Sequence, residues 1–311
     1  MIFAARAVLV SLAFFAVVYC SLSTLVALVW GAAERLRKGL IPLSASLLFG
    51  LRIFSFVLSG VITVCFALPS FWLMERATFD EEGGTFILAA CALTVIGAGV
   101  SRVLRDQSST THALQEWLLR TWSVESGVTK PALGAANGAP ALILVGITRP
   151  RVMISDAAAS ALSDDELQVA VRHELGHRRS WDNLKKVLIS ASPFPWMSGL
   201  ENAWRVAAEL AADDAAVESR QEALDLAAAL IKLSRAPKQP PEPALASGLM
   251  CASSAVAVRV QRLLHWRAAG PGMRRMWPWA LVVLLAMTGT IASHYGATLA
   301  LTHRLTELLV P

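Results

Sequence analysis

Charge is what this chain has least of. Only 16% of its 311 residues are Asp, Glu, Lys or Arg, while 55% are hydrophobic; soluble domains carry roughly a quarter charged residues. The apolar excess is concentrated in runs, which excludes an ordinary soluble domain and is the signature of membrane spans. Cysteine is nearly as scarce. Cys20, Cys65, Cys91 and Cys251 have the spacing of neither a metal site nor a disulfide framework, and three lie inside apolar runs, so they read as small buried hydrophobes. Nothing requires an oxidising compartment. A dedicated basic domain is also missing: the net charge is +5, but the basic residues sit beside the apolar runs. That placement argues for membrane orientation and against direct nucleic-acid binding. There are no internal repeats.

What is present begins with four stretches that reach the length of about 20 helical residues needed to cross a bilayer core. They are 7–30, 53–74, 83–101 and 276–302, all uncharged apart from His294. The first is too long for a signal-peptide core, which runs to roughly 7–15 residues. The first connection holds Arg35, Arg37, Lys38 and Arg52, whereas the second, "ERATFDEE", is mostly acidic. Arg102 and Arg105 follow the third stretch, and Arg274 and Arg275 precede the fourth. All basic clusters share one side if both chain ends are outside, so 105–275 is expected in the cytoplasm. The expected organisation is three transmembrane helices in 1–104, a cytoplasmic domain over 105–275, a fourth helix over 276–302 and a short outer tail, 303–311.

Within 105–275, residues 114–124 have a helical pattern, "GAANGAP" reads as a loop, and "ALILVGITRPRVMIS" reads as two short strands broken at Arg149-Pro150. The stretch 238–243, "KQPPEP", cannot be regular helix. Helices dominate otherwise.

The informative stretch starts at Ser163. "SDDE" is a capping box with Ser163 as N-cap and Glu166 reaching back. The helix continues through "LQVAVRHELGHRRS", where His173 and His177 are four apart and share a face. That spacing lets two imidazole nitrogens sit about 2.1 Å from one metal ion. Glu174, beside the first ligand, can take a proton from metal-bound water. The plainer reading is a surface helix that happens to carry two histidines. A catalytic zinc needs a third protein ligand, and downstream "ENAWRVAAELAADDAAVESR" places Glu209 and Asp213 four apart. Like charges at that spacing cost a few tenths of a kcal/mol, a penalty removed by a facing cation. Glu209 is therefore the expected third ligand, and Asp213 the acceptor that orients a ligand histidine. The plainer reading here is a solvated acidic face.

"PRVMIS", "VRHELGHRRSWDNL", "SPFPW" and "ELAADDAAV" together resemble the BlaR/MecR-type membrane zinc peptidases, over roughly 140–265. The order of three spans, peptidase domain and one span is similar too. The resemblance implies a mainly α membrane protein with four transmembrane helices and a cytoplasmic α+β zincin-like (gluzincin) peptidase domain, in a bacterial cytoplasmic membrane. It implies Zn2+ bound by His173, His177 and Glu209, with Glu174 as catalytic base and Asp213 behind the ligands. The implied activity is that of a zinc metalloendopeptidase acting on a cytoplasmic or membrane-associated protein in regulated proteolysis, its target a transcriptional repressor or its own loop. Family members that sense β-lactams carry an extracellular domain after the last span, and the short 303–311 tail is not expected to replace it. A non-cleaving zinc-binding scaffold and a quality-control peptidase of the prenyl-protease or heat-shock type remain alternatives.

Other residues carry weaker expectations. His112 and His265 are candidates for stabilising an oxyanion, and His294 is an ionisable group within an expected span. Asp182 is expected to support the end of the motif helix. Arg259 and Arg262 are expected to pack or to face lipid.

Overall fold

The structure is a computed structural model that describes residues 2–36, 43–74, 83–119, 134–135, 142–147, 151–235, 246–248, 256–267 and 293–309. The apolar N-terminal part forms α1 (Ile2–Leu36), α2 (Ala45–Ile62), a π-helical turn (Thr63–Ala67), α3 (Leu68–Met74) and α4 (Gly83–Leu119). A helix satisfies its own backbone, which is what a chain in hydrocarbon requires. Among the described residues, Phe3–Leu36, Ala45–Met74 and Gly84–Glu116 are long and apolar enough to cross a membrane. They contain the first two expected stretches and all but the first residue of the third, and extend beyond each of them.

One extension changes a reading. The Ser44 hydroxyl accepts from Leu47 N and caps α2, so the helix starts eight residues before 53. Arg52 therefore lies two turns inside the helix, buried and ion-paired to Glu201, with Nη2 2.8 Å from Oε1. It is not a free charge in the first connection.

The second part of the chain supplies β1 (Gly134–Ala135), β2 (Leu142–Val145), β3 (Arg151–Ile154), α5 (Asp156–Ala161), α6 (Asp164–Arg179), α7 (Asp182–Ala191), α8 (Ser198–Ala216), α9 (Arg220–Ser234), β4 (Ala246–Gly248) and α10 (Val256–Leu264). A last helix, α11 (Tyr295–Leu309), runs past Thr302 into the expected outer tail. Most of the expected fourth span, the second connection, the "KQPPEP" stretch, the Arg149-Pro150 break and most of "GAANGAP" lie outside the described residues.

The strands form one sheet in the order β1-β3-β2-β4. β2 is antiparallel to β3, with Ile143 opposite Met153, and antiparallel to β4, with Leu144 opposite Ser247. Every residue of β2 is buried, because both faces of the strand are covered. Leu142 and Leu144 pack into the main core with Val169 and Ala170 of α6 and Leu226 and Leu230 of α9. Ile143 and Val145 point the other way, against Ala113 and Leu114 of α4. The helical pattern expected from 114 is thus the far end of the third apolar helix, which continues unbroken to cover the sheet.

α4 also touches the end of α7. A Cβ on Gly99 would overlap the Ala191 carbonyl oxygen and crowd Pro193 Cδ, 3.2 Å away. Backbone cannot swing aside as a side chain can, so Gly99→Ala must part the two helices. Overpacking of this kind costs about 1–3 kcal/mol. A lower thermal midpoint of the detergent-purified variant is the expected result, and an unchanged midpoint would refute the contact.

Candidate metal centre

α6 begins as its sequence dictates. Ser163 N donates to Glu166 Oε2 at 2.8 Å and Glu166 N donates to Ser163 Oγ at 3.4 Å, which closes the capping box. Three turns on, His173, Glu174 and His177 lie on the buried side of the helix. α8 crosses this side closely: a Cβ on Gly176 would stand 3.3 Å from Ala212 Cα. The small pair Gly176 and Ala212 brings the flanking Glu209 and Asp213 against the two histidines.

The ring nitrogens converge. His173 Nε2 and His177 Nε2 are 3.2 Å apart, and each is 3.5 Å from one oxygen of the Glu209 carboxylate. The potential ligand atoms of His173, His177 and Glu209 all lie within 4.8 Å of one another. Ligands about 2.0–2.1 Å from a tetrahedral ion stand about 3.3 Å from each other, so the three residues fit a common cation without rearrangement.

The opposite ring nitrogens are held by carboxylates. His173 Nδ1 faces Asp213 Oδ1 at 3.0 Å, and His177 Nδ1 faces Asp182 Oδ2 at 2.8 Å. A proton kept on Nδ1 by such a partner leaves the Nε2 lone pair free for a metal. Each carboxylate is backed in turn by a cation. Lys185 Nζ lies 2.9 Å from Asp182 Oδ1. Arg259 donates from Nε and Nη2 to Asp213, at 2.9 and 2.6 Å, and its Nη1 is 2.9 Å from Glu209 Oε2.

The electrostatics follow from these contacts. Burial alone would lower the His173 pKa, but its bonds to Asp213 and Glu209 outweigh burial and push it up to about 9. Burial likewise works to raise Asp213, and bonds from His173 and Arg259 overcome it and hold the carboxyl at about 2. Glu209 is lowered for the same reason, against its burial, by His173, His177 and Arg259. Arg259 is raised despite burial, by Asp213, Glu209 and, more weakly, Glu174.

The structure thus brings together His173, Glu174, His177, Glu209 and Asp213. His112 is exposed on α4, His294 is exposed just before α11, and exposed His265 bonds the Gln261 carbonyl on α10. None of these three belongs to the ligand group. Arg259 corrects an expectation: it is buried at the centre of the site and does not face lipid. Paired acids at 213 and 214, set against arginines at 259 and 262, were the available signal, and Arg262 does reach Asp214 at 2.7 Å. Asp182 does more than end a helix. Trp181 adopts a left-handed backbone, φ 56°, uncommon for a bulky residue, and this turn doubles the chain back so that Asp182 reaches His177.

The close crossing gives a test. Gly176→Ala adds a tight contact but regains about 1 kcal/mol of helix propensity, so stability should hardly change. Gly176→Val adds two further carbons that must displace α8 and Glu209 with it. Calorimetric zinc titration is expected to show near-parental affinity for the first variant and a large loss for the second; equal affinities would contradict the geometry.

Comparison with curated proteins gives no match. The family model described as BlaR1 peptidase M56 matches residues 85–263, more than half of the chain, an interval that contains the whole ligand group and its supporting residues. The chain belongs to the BlaR1 peptidase M56 family.

Proposed function

We propose that this protein is an integral-membrane zinc metalloendopeptidase, and the observation that carries the reading is the charge around the two histidines. Glu174, Glu209, Asp182 and Asp213 bring four formal negative charges into a buried cluster, and Arg259 and Lys185 return two positive ones. The surplus is what a divalent cation neutralises, and two of its members, Asp213 and Glu209, drive the His173 pKa upward against burial. The donor set of two imidazoles and a carboxylate suits zinc and leaves a fourth position open, as catalysis requires. Zinc held by His173, His177 and Glu209 would supply Lewis acidity and an acidified water.

The chain's own residues account for the proton movements. The Glu174 carboxylate accepts a proton from the attacking water and delivers it to the leaving amine. Asp213 and Asp182 keep both imidazoles in the tautomer and orientation that present Nε2. Arg259 fixes Glu209 and Asp213 relative to each other, and Gly176 sets the distance between the two helices.

The topology proposed from the basic flanks has four spans, with 276–302 as the fourth. Both chain ends lie outside, and a zincin-like peptidase domain lies in the cytoplasm. The substrate is then a cytoplasmic or membrane-associated protein, cut in regulated proteolysis, with a transcriptional repressor or the enzyme's own loop as targets. Sequencing of new protein termini in cells carrying parental or Glu174→Ala protein tests this. Termini that depend on Glu174 and fall in one or a few proteins are the expected result, and identical terminal sets in both cells would end the reading.

A further inference from the structure

Between Lys186 and Glu201 the sequence runs "VLISASPFPWMSGL", with no charged residue. Fourteen residues are too few to span a bilayer, but 10–14 is the length of a re-entrant segment. In the structure it is the end of α7, a turn over 192–197 and the start of α8, a helical hairpin whose tip enters the bundle of apolar helices. Phe194 packs against the cluster of Phe15, Tyr19 and Ala92, together with Phe56 and Val95. These residues come from the interior of all three membrane-crossing stretches. The Phe194 ring meets Tyr19 edge-on at 5.7 Å.

Irregular backbone at that depth is tolerated only where its polar groups find partners, and two carbonyls of the turn have them. The single proton of the Tyr19 hydroxyl is shared between the Ser192 and Pro193 carbonyls, which lie 3.1 and 3.0 Å away. Arg52 Nη2 donates to the Ser192 carbonyl at 2.9 Å. Pro193 and Pro195 have no N–H to satisfy. Gly99 clears the space in which Ala191 and Pro193 lie against α4.

The other side of the same hairpin carries exposed apolar residues. Trp196, with a left-handed backbone at φ 65°, is 74% exposed, and Leu188 is 42% exposed. Phe194 fixes their level beside the three apolar helices. We infer that residues 187–200 form a re-entrant hairpin inserted into the leaflet nearest the peptidase domain, with Leu188 and Trp196 in contact with lipid acyl chains. α8 then starts inside the bilayer. Glu209, nine residues past Leu200, lies about 14 Å further along the helix, so the candidate metal centre is held at the membrane surface.

The experiment uses the full chain in phosphatidylcholine–phosphatidylglycerol vesicles, with its four cysteines replaced by serine. Single nitroxide labels are placed through Leu188→Cys, Trp196→Cys and Ser198→Cys, and through Arg178→Cys as an exposed control. Ser198→Cys is nearly isosteric and exposed, so one hairpin label is read even if the larger truncations fail to fold. Collision with dissolved oxygen is expected to exceed collision with a water-soluble nickel chelate at 188, 196 and 198, and the order is expected to reverse at 178. Nickel access at the hairpin equal to that at 178 would overturn the insertion. Spin–spin broadening at 196 would also overturn the lipid assignment, because a second copy of the chain would then cover this face.

Discussion

Replacement of Glu174 by glutamine is expected to lower peptide cleavage by about 10²–10⁴-fold, the range a positioned general base contributes, while zinc content stays at one ion per chain. Glutamine keeps the shape of the wholly buried side chain but cannot accept a proton. It also removes a charge that burial penalises, so the metal-free variant should be no less stable than the parent. Metal analysis and peptidase assay on the same purified sample separate the two roles. Cleavage at the parental rate would remove Glu174 from the mechanism, and loss of zinc along with cleavage would make it a ligand.

The second large effect belongs to Arg259. Its guanidinium compensates Asp213 and Glu209 at once, and Arg259→Met leaves both carboxylates buried without it. Breaking a buried pair in this way costs about 3–5 kcal/mol. Zinc would take over part of that compensation, so the thermal shift on adding zinc is expected to be larger in the variant than in the parent. Lysine retains the charge but not the planar fork, and Arg259→Lys should fall between the two. The pH dependence has a definite sign. The Asp213 pKa, about 2 when folded, lies below the unfolded value near about 4. Its contribution is therefore complete above that unfolded value and is lost as pH falls toward about 2. In Arg259→Met the folded value rises toward the unfolded one, so the variant starts less stable at neutral pH and this acid-side loss should shrink. Parental stability of the variant at every pH would return Arg259 to the packing role expected from sequence.

Much of the site could be read from local spacing. The capping box, the four-residue interval between the histidines and the same interval between Glu209 and Asp213 are properties of one helix each, where side-chain direction follows from periodicity. The strands at 142–145 and 151–154 were legible for a similar reason, as short apolar runs beside a turn. The residues that escaped depend on geometry that no period encodes. Asp182 reaches His177 through the left-handed turn at Trp181, a conformation no tryptophan announces. Arg259 lies 46 positions from Asp213, and only the packing of α10 brings it there. Arg52 was assigned to a loop because a charge ordinarily marks the end of a span, whereas a serine cap placed it inside one. The "SPFPW" stretch was visible as part of the family resemblance, but its place among Phe15, Tyr19 and Phe56 is a tertiary fact.

One further consequence follows from α4. Its 37 residues make a single helix about 55 Å long, with Gly83 at one end and the sheet-covering Ala113 and Leu114 near the other. A hydrogen-bonded rod of this kind cannot shorten, and its interior positions hold no proline to act as a joint. Any tilt imposed at its Gly83 end is therefore transmitted as a sideways displacement of its other end, directly onto Ile143 and Val145. The strand that underlies the motif helix is thus mechanically tied to the far end of the third apolar helix, with no loop between them to absorb the movement.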